Sequence, residues 1–248
     1  MALKLPFATT PTSLSPWGLR AENFAGRPET WPGYAEGLFA IQDEASQLVG
    51  LLTGDLGPGA EILDACAGLG GKALHLAALN PAARVTARDR NPARLERLAA
   101  EARRLGLNNV AGEARDLLEG AEAKLYDLVL MDAPCSGLGV MRRRPDLKWS
   151  KGPDDVARLA EIQLRLLSAG ADLVRPGGRL LYGVCSFSPA EGPRVAAAFP
   201  AGRPEFRAAP PSVWPEALRP HLDPAGHLTL WPHRHLTDGF FWAVFERG

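Results

Sequence analysis

The chain has 248 residues, 46% of them hydrophobic, which is sufficient for one α/β domain with a large core. Basic and acidic residues number 28 each, so the overall charge indicates neither a nucleic-acid binder nor an enzyme for acidic substrates, and any charge effect must come from local clusters. The three cysteines lack CxxC spacing, which argues against a disulfide framework or a zinc site and favours a reducing cytoplasm, while no apolar run is typical of a signal peptide or a membrane span.

Residues 1–36 are rich in Pro, Gly, Thr and Trp and lack a periodic pattern, so we interpret them as an N-terminal arm or the remnant of an RNA-binding module. The catalytic domain is predicted to span 37–248. Its first helix is predicted over Ile41 to Leu52, and the chain then alternates between strands and helices. The predicted strands are 60–65, 83–87, 126–131 and 179–184, and the further predicted helices are 72–79, 92–105 and 154–174.

This alternation predicts an α/β fold with a Rossmann-like, mostly parallel, doubly wound sheet. The closing stretch HLTLWPHRHLTDGFFWAVFERG is typical of two strands joined by a turn at Asp238 and Gly239, hence of an antiparallel C-terminal hairpin at one edge. Ligands of such open sheets bind beyond the carboxyl ends of the strands, so the residues that follow strands are the candidates for a site.

A glycine-rich turn follows the first of these strands, in ILDACAGLGGKALHLA. Asp64 ends the strand, and the turn lets the backbone approach a ligand at the positive end of a helix. Asp89 lies about twenty residues later, the spacing at which a carboxylate binds both ribose hydroxyls. Asp116, after the next strand, is a candidate for binding an adenine amino group, although an acid there also suits a helix N-cap. Together these residues predict a cofactor that contains adenosine.

Two other nucleotide-binding motifs are alternatives for this turn. Gly68, Gly70 and Ala73 satisfy the G-x-G-x-x-A pattern of nicotinamide-binding proteins. A phosphate-binding Walker loop is disfavoured, because Cys66 replaces its first glycine and Ala73 follows the lysine where Ser or Thr is required. The acid before the turn, Lys72 after it and the thiols at two further strand ends favour S-adenosylmethionine over a nicotinamide.

Six stretches occur in the order GLFAIQDEASQLV, DACAGLGGK, DAPCSGLG, MRRRPDLKW, LLYGVCSFSPAEG and TDGFF. Over residues 37–246 they resemble the RNA (cytosine-5)-methyltransferases of the Fmu/Sun (NOL1/NOP2/Sun) family. The resemblance implies a class I methyltransferase fold with S-adenosylmethionine as cofactor. The implied cofactor-binding residues are Asp64, Ala65, Cys66, Ala67, Gly68, Leu69, Gly70, Gly71, Lys72, Asp89, Arg94, Asp116, Asp132 and Pro134.

The same resemblance implies a covalent mechanism. C5 of cytosine is too weakly nucleophilic to accept a methyl group until a thiolate adds to C6. Cys185 is then the nucleophile, Cys135 assists proton removal or breakdown of the adduct, and Asp132 hydrogen-bonds the ring at N3 and the exocyclic amine. Because DNA cytosine-5 methyltransferases use the cysteine of a Pro-Cys dipeptide as nucleophile, the sequence leaves the opposite assignment of the two thiols open.

The expected partner is structured RNA, ribosomal rather than transfer RNA. A basic run within the fourth stretch, MRRRPDLKW, is expected to contact phosphates, with ordinary solvated charge as the alternative. It comprises Arg142, Arg143, Arg144 and Lys148. Family members usually carry an RNA-recognising module ahead of the catalytic domain, whereas only about 36 residues precede it in this sequence. RNA capture is therefore expected to need the catalytic face, a partner protein or a homo-oligomer. We expect no membrane partner and no metal, since His233 and His235 lack a third ligand.

One departure from the family pattern lies in the glycine-rich turn. Leu69 stands where the family has a proline, which keeps a catalytically degenerate RNA-binding or assembly protein as an alternative. A nicotinamide-dependent oxidoreductase is the weaker alternative, since hydride transfer requires no thiol pair.

Trp149, Trp214 and Trp231 are candidates for base stacking, but packing in the core or at an edge is expected for each.

Overall fold

The computed structural model describes residues 7–119 and 123–248. The strands are β1 Thr9–Pro11, β2 Leu19–Ala21, β3 Glu61–Asp64, β4 Arg84–Asp89, β5 Val110–Ala114, β6 Tyr126–Asp132, β7 Val174–Val184, β8 Phe206–Ala208, β9 Leu228–Leu230 and β10 Phe240–Arg247. The helices are α1 Glu44–Gln47, α2 Val49–Leu52, α3 Gly71–Leu79, α4 Pro92–Arg104, α5 Leu147–Ser150, α6 Pro153–Asp172, α7 Pro193–Gly202 and α8 Pro232–His235. Short 3-10 turns lie at Pro28–Thr30, Leu138–Val140, Pro211–Val213 and Glu216–His221. None of the helices within the two described ranges is both long and apolar enough to cross a bilayer.

The central sheet has the strand order β5-β4-β3-β6-β7-β10-β8, with β9 also paired to β10. Strands β3 to β7 pair in parallel, and β10 runs antiparallel to β7, β8 and β9. The predicted α/β fold with a mostly parallel sheet is confirmed. Strand β7 begins at Val174, five residues earlier than predicted, because its pairing with β6 shifts register opposite Tyr126 and accommodates the Pro-Gly-Gly stretch at 176–178.

The predicted hairpin of β9 and β10 forms, with Leu230 opposite Phe240, but it has no tight turn at Asp238 and Gly239. Helix α8 lies in the connection instead, and Gly239 N–H donates to the Gly139 carbonyl at 2.9 Å. The predicted turn position was wrong because both residues bind the loop that follows β6, a contact with a segment far away in the sequence.

Helices cover both faces of the sheet, so its central strands are continuous apolar runs rather than alternating ones. In β6, Leu128 and Leu130 pack with α1 to α4, whereas Val129 and Met131 pack with α6 and α7. The periodicity of α4 explains its place, since Leu95, Leu98 and Ala102 share one face and are buried. The ligand-binding edge therefore lies at the carboxyl ends of strands that are themselves rigidly packed.

The helix predicted over 41–52 is divided into α1 and α2, and it begins at Glu44. The start is set by Asp43, whose side chain accepts a hydrogen bond from Ala45 N–H at 3.0 Å and caps the helix. Ile41 lies outside the helix and is 58% exposed, so its apolar side chain gave a misleading helical signal.

The N-terminal segment, residues 7–36, forms the small hairpin of β1 and β2 and contacts the central domain. The Glu44 carboxylate accepts hydrogen bonds from Leu14 N–H and Ser15 N–H, and the Arg104 guanidinium lies 3.8 Å from the Tyr34 ring centroid. These contacts give the segment fixed positions on the domain. The boundary at residue 36 stays a prediction.

Candidate active site

The glycine-rich turn after β3 and the end of β4 meet at one carboxylate. Asp89 Oδ2 accepts a hydrogen bond from Gly68 N–H at 3.0 Å, and its Oδ1 accepts one from Asn91 N–H at 2.8 Å. Arg94 Nη1 lies 3.3 Å from Oδ2. Gly68 has φ +58° and Gly70 has φ +90°, conformations that favour glycine. The turn is therefore held against Asp89 and opens helix α3 at Gly71.

Gly70 and Gly68 provide a matched test of this turn. An added Cβ at Gly70 would lie 2.5 Å from the Leu98 side chain, whereas one at Gly68 would meet nothing within 4 Å. Both replacements carry a left-handed backbone cost of about 1–2 kcal/mol, and Gly70→Ala adds overpacking of about 1–3 kcal/mol. We expect urea unfolding to show a larger loss in the free energy of unfolding for Gly70→Ala than for Gly68→Ala. Equal losses in the two variants would contradict this.

A cleft of 560 Å³ lies beside Asp89, within the size range of small-molecule sites. Its lining residues are Arg90, Asn91, Pro92, Ala114, Arg115, Asp116 and Glu119. Asp116 Oδ1 accepts a hydrogen bond from Leu118 N–H at 2.9 Å, which forms an Asx turn and not the helix N-cap that the sequence left as an alternative, since no helix begins here within the described residues. The structure thus brings Asp116 to the same cleft as the Asp89 loop.

Several predicted cofactor residues lie behind the turn rather than on its surface. Ala65 is buried, and Cys66 Sγ lies 3.7 Å from Met131 Sδ, where burial raises the pKa of the thiol. Ala67 N–H donates to the Arg88 carbonyl at 2.8 Å. Leu69, by contrast, is 56% exposed. The position that departs from the family pattern therefore faces outward.

Asp64 lies under the turn and is 1% exposed. Burial and the charge of Asp132 raise its pKa to about 7, while Lys72 opposes this shift. Among the residues that the structure describes, no group hydrogen-bonds to its Oδ1. The carboxyl group is therefore coupled electrostatically to the catalytic candidates at the end of β6.

Lys72 and Asp132 form an ion pair, with 2.6 Å between Nζ and Oδ2. Burial lowers the pKa of Lys72, but the charge and hydrogen bond of Asp132 outweigh it, so the pKa lies above its ordinary value. The Lys72 ammonium also lies 5.1 Å from the Phe240 ring centroid. The sequence analysis grouped Lys72 with the cofactor turn alone, whereas the structure places a permanent cation beside the catalytic candidates.

The two thiols of the predicted site come from neighbouring strand ends, and Cys135 Sγ lies 3.3 Å from Cys185 Sγ. The hydrogen bond from the Cys135 thiol lowers the pKa of Cys185, and the Lys72 charge acts in the same direction. The same hydrogen bond and burial raise the pKa of Cys135 well above its ordinary value. Cys185 is therefore the thiol that the site deprotonates first.

A buried polar cluster behind the thiols was missed by the sequence analysis. Glu191, Gln163, Ser136 and Ser186 are each at most 1% exposed and hydrogen-bond one another. One signal was present, because Gln163 interrupts the apolar face that Leu159, Leu166 and Leu167 form on α6. Pro134 joins this cluster through its carbonyl, which accepts from Gln163 Nε2 at 3.0 Å.

The basic run has two kinds of residues. Arg142 and Arg143 bind Asp238, which is 2% exposed, and Arg142 also pairs with Asp43 at 2.6 Å. Arg144 pairs with the exposed Asp146, and the Lys148 ammonium lies over the exposed Trp149 ring. The first two arginines therefore tie the loop after β6 to the C-terminal connection.

The expectation that all three tryptophans pack was wrong for one of them. Trp149 is 83% exposed, with the Lys148 ammonium 4.6 Å from its ring centroid. The short helix α5 follows the loop after β6 and turns this ring outward. Trp214 is buried, and Trp231 stacks on Phe187 with 5.5 Å between centroids.

Comparison with known proteins gives a consistent assignment. A sequence model of the family described as 16S rRNA methyltransferase RsmB/F matches residues 53–246. The probable ribosomal RNA small subunit methyltransferase B of Synechocystis sp. is 36% identical over 248 residues, covering 98% of this chain and 55% of that protein. The Bacillus subtilis protein of the same description is 40% identical over 219 residues, 84% of this chain and 47% of the relative. The chain thus spans about half the length of these relatives.

The solved structures agree with this. The protein described as PH0851 has a TM-score of 0.88 and 31% identity, with 97% of this chain and 54% of that chain covered. NSun6 from Pyrococcus horikoshii, solved with SFG, has a TM-score of 0.78 and 25% identity, with 90% and 56% covered. The resemblance to the Fmu/Sun methyltransferases and the class I fold are confirmed. The chain belongs to the 16S rRNA methyltransferase RsmB/F family.

Proposed function

We propose that this chain methylates C5 of a cytidine in structured ribosomal RNA through a covalent adduct of Cys185 at C6. The observation that carries the proposal is the thiol pair, with 3.3 Å between Cys135 Sγ and Cys185 Sγ, beside the Lys72–Asp132 ion pair. A methyl group transferred to an oxygen or an exocyclic nitrogen needs no thiol, whereas an unactivated ring carbon does. Relatives named as small subunit methyltransferases support ribosomal RNA as the substrate.

The cofactor is S-adenosylmethionine. The residues present fit it. Gly68 leaves open space above the turn, and the Asp89 carboxylate follows the glycines at the sequence spacing of a group that binds ribose hydroxyls. The cleft lined by Asp116 has room for adenine. Arg94 would hold Asp89 in place. When bound, the cofactor supplies an electrophilic methyl group to the carbon that the thiolate has activated.

The first chemical step belongs to Cys185. Its thiolate forms the bond to C6, the electron pair of the C5–C6 double bond moves to C4–C5, and that of the C4–N3 double bond moves to N3, which takes a proton from water, so that C5 becomes nucleophilic. Asp132 is proposed to accept hydrogen bonds from the exocyclic amine and from the N3–H formed in this step. Lys72 keeps Asp132 oriented and stabilises the Cys185 thiolate before attack.

Cys135 is proposed to act after methylation. The C5 proton must then leave to a base, and its bonding electrons re-form the C5–C6 double bond and expel the Cys185 thiolate. Cys135 stands 3.3 Å from the departing sulfur and stabilises it again by hydrogen bonding. Cys185 is thus the proposed nucleophile and Cys135 the thiol that assists, as the family resemblance implied.

RNA capture is proposed for the surface of Arg144, Lys148 and Trp149, alone or with a partner protein or a second copy of the chain. Trp149 offers an exposed ring for a base, and both neighbouring cations suit phosphates. We expect Trp149→Ala to raise the RNA Kd roughly 5- to 100-fold, the effect of one lost stacking contact, with the cofactor Kd unchanged. Trp17→Ala, at a 43% exposed ring on the N-terminal segment, is the control. Equal RNA affinity in the two variants would place the RNA elsewhere.

The proposed reaction is tested by transfer of tritium from labelled S-adenosylmethionine to unmodified ribosomal and transfer RNA, followed by nucleoside analysis. Label in 5-methylcytidine of ribosomal RNA is the expected result. Label in another nucleoside would overturn the carbon-5 assignment. Measurable cofactor binding without label in any RNA would favour the degenerate RNA-binding protein.

A further inference from the structure

The two thiols lie on separate segments, one after β6 and one after β7, yet their sulfurs are 3.3 Å apart. Each cysteine is followed by a serine, Ser136 and Ser186, whose hydroxyl oxygens lie 3.3 Å apart in the interior. Cysteine side chains alone do not hold two loops at such a distance, because a thiol hydrogen bond is weak. The position of the thiols must therefore come from what lies behind them.

One carboxylate connects both loops there. Glu191 Oε1 accepts hydrogen bonds from Ser136 N–H at 2.7 Å and Gln163 Nε2 at 3.1 Å. Its Oε2 accepts from Ser186 Oγ at 2.8 Å and from Ser136 Oγ. All four donors are neutral, and Glu191 is fully buried. A buried carboxylate with matched donors on both oxygens fixes their mutual geometry tightly.

The carboxylate is itself held from two sides. Gln163 on α6 also donates to the Pro134 carbonyl at 3.0 Å, which fixes the residue before Cys135. The Tyr182 hydroxyl donates to the Glu191 carbonyl and lies 3.1 Å from Gln163 Oε1. The cluster thus joins β7, α6 and the segment before α7 to the thiol loops, and it leaves little freedom for the carboxylate to move.

The charge of Glu191 also acts on the thiols. The hydrogen bond to Cys185, burial and the charges of Cys185 and Asp132 raise the pKa of Cys135, and the negative charge of Glu191 adds a smaller contribution in the same direction. Keeping Cys135 protonated keeps it a donor toward Cys185. Geometry and charge therefore act in the same direction, since both favour a single thiolate on Cys185.

We propose that Glu191 is a positioning residue that sets the distance between the thiols and confines the thiolate to Cys185. Its catalytic consequence rests on the proposed function, but its effect on the thiols does not. Glu191→Gln separates the two contributions, because a Gln amide keeps the shape, and the Ser136 and Ser186 hydroxyls can rotate to accept from it. Glu191→Ala would instead leave four buried donors without an acceptor.

The test is alkylation by iodoacetamide at pH 7 without RNA, with the label at each cysteine quantified by peptide mass spectrometry. In the native chain the label is expected mainly at Cys185. In Glu191→Gln the ratio of label at Cys135 to Cys185 is expected to rise about tenfold, because the Glu191 charge no longer disfavours the Cys135 thiolate. In the tritium assay kcat is expected to fall about tenfold with KM unchanged, since the nucleophile and not RNA binding is affected.

Glu44→Gln is the matched control, because Glu44 is also buried and accepts two backbone N–H groups, but from the N-terminal segment. It should leave the labelling ratio unchanged. An unchanged ratio in folded Glu191→Gln overturns the proposal, whether or not kcat falls. If that variant does not fold, Ser186→Ala, which removes one donor, must shift the ratio in the same direction, and no shift overturns the proposal. The labelling result stands even if no RNA is methylated.

Discussion

Cys185→Ala is expected to abolish methyl transfer, and Cys135→Ala is expected to accumulate a protein–RNA adduct that survives denaturant. Without the Cys185 thiolate, C5 is not activated, and the rate should fall by at least about 10³-fold, as for other covalent nucleophiles. Without Cys135, Cys185 still adds to C6, although more slowly because the hydrogen bond that lowers its pKa is lost. The adduct then persists because its breakdown is impaired. The tritium assay and a denaturing gel measure the two outcomes.

Cys66→Ala is the matched control for both thiol variants. Cys66 is also a partly buried cysteine after a strand of the same sheet, but it packs on Met131. We expect its loss to leave kcat within about threefold of native, because a core thiol acts as a small apolar group. All three variants should keep the cofactor Kd. The opposite pattern, with adduct in Cys185→Ala and no transfer in Cys135→Ala, would exchange the roles of the thiols.

Lys72→Met is expected to lower kcat by about 10²-fold or more and to move the acid limb of the pH–kcat profile to higher pH. The Lys72 charge lowers the pKa of Cys185, and the Asp132 charge raises it. Without the cation, the Asp132 charge raises the pKa of Cys185 without opposition from Lys72, so the thiolate forms only at higher pH. Part of the lost activity should therefore return in alkaline buffer, which a profile of initial rates would detect.

Lys124→Met is the control for this variant, since Lys124 pairs with Glu61 at 2.9 Å and is 46% exposed. Its pH profile should match that of the native chain. An acid limb that stays in place in Lys72→Met would mean that the cation does not act on Cys185. Thermal unfolding with and without cofactor shows whether the variant is folded before its rates are compared.

These expectations share one physical origin. Cys185, Cys135, Lys72 and Asp132 come from the ends of two strands and from one helix, and their charges interact across a largely buried space where water screens little. The pKa of each group is therefore a property of the assembly. The cofactor turn and the thiol pair lie on the same edge of the sheet because parallel strands direct all their carboxyl ends there.

Much of the fold and part of the site were determined by the sequence itself. Alternating apolar runs and helical periodicities are local signals, so they predicted the parallel sheet and, within two residues at each end, the strands β3, β4 and β6 and the helices α3, α4 and α6. The positions of Gly70, Asp89, Cys135 and Cys185 at strand ends followed from the same pattern. The predicted helix start failed because the exposed Ile41 gave a misleading apolar signal, and the expected turn near Asp238 failed because distant contacts decided its position.

The tertiary structure alone decided how the site residues act on one another. Cys135 and Cys185 are 50 residues apart, and which of them is deprotonated depends on a 3.3 Å contact and on Lys72. Arg142 has its partner Asp238 96 residues away. Glu191 lies within the stretch LLYGVCSFSPAEG, but its contacts with Ser136, Ser186 and Gln163 arise only when three segments fold around it. Periodicity and spacing describe neighbours along the chain, whereas electrostatic coupling and buried hydrogen bonds depend on neighbours in space.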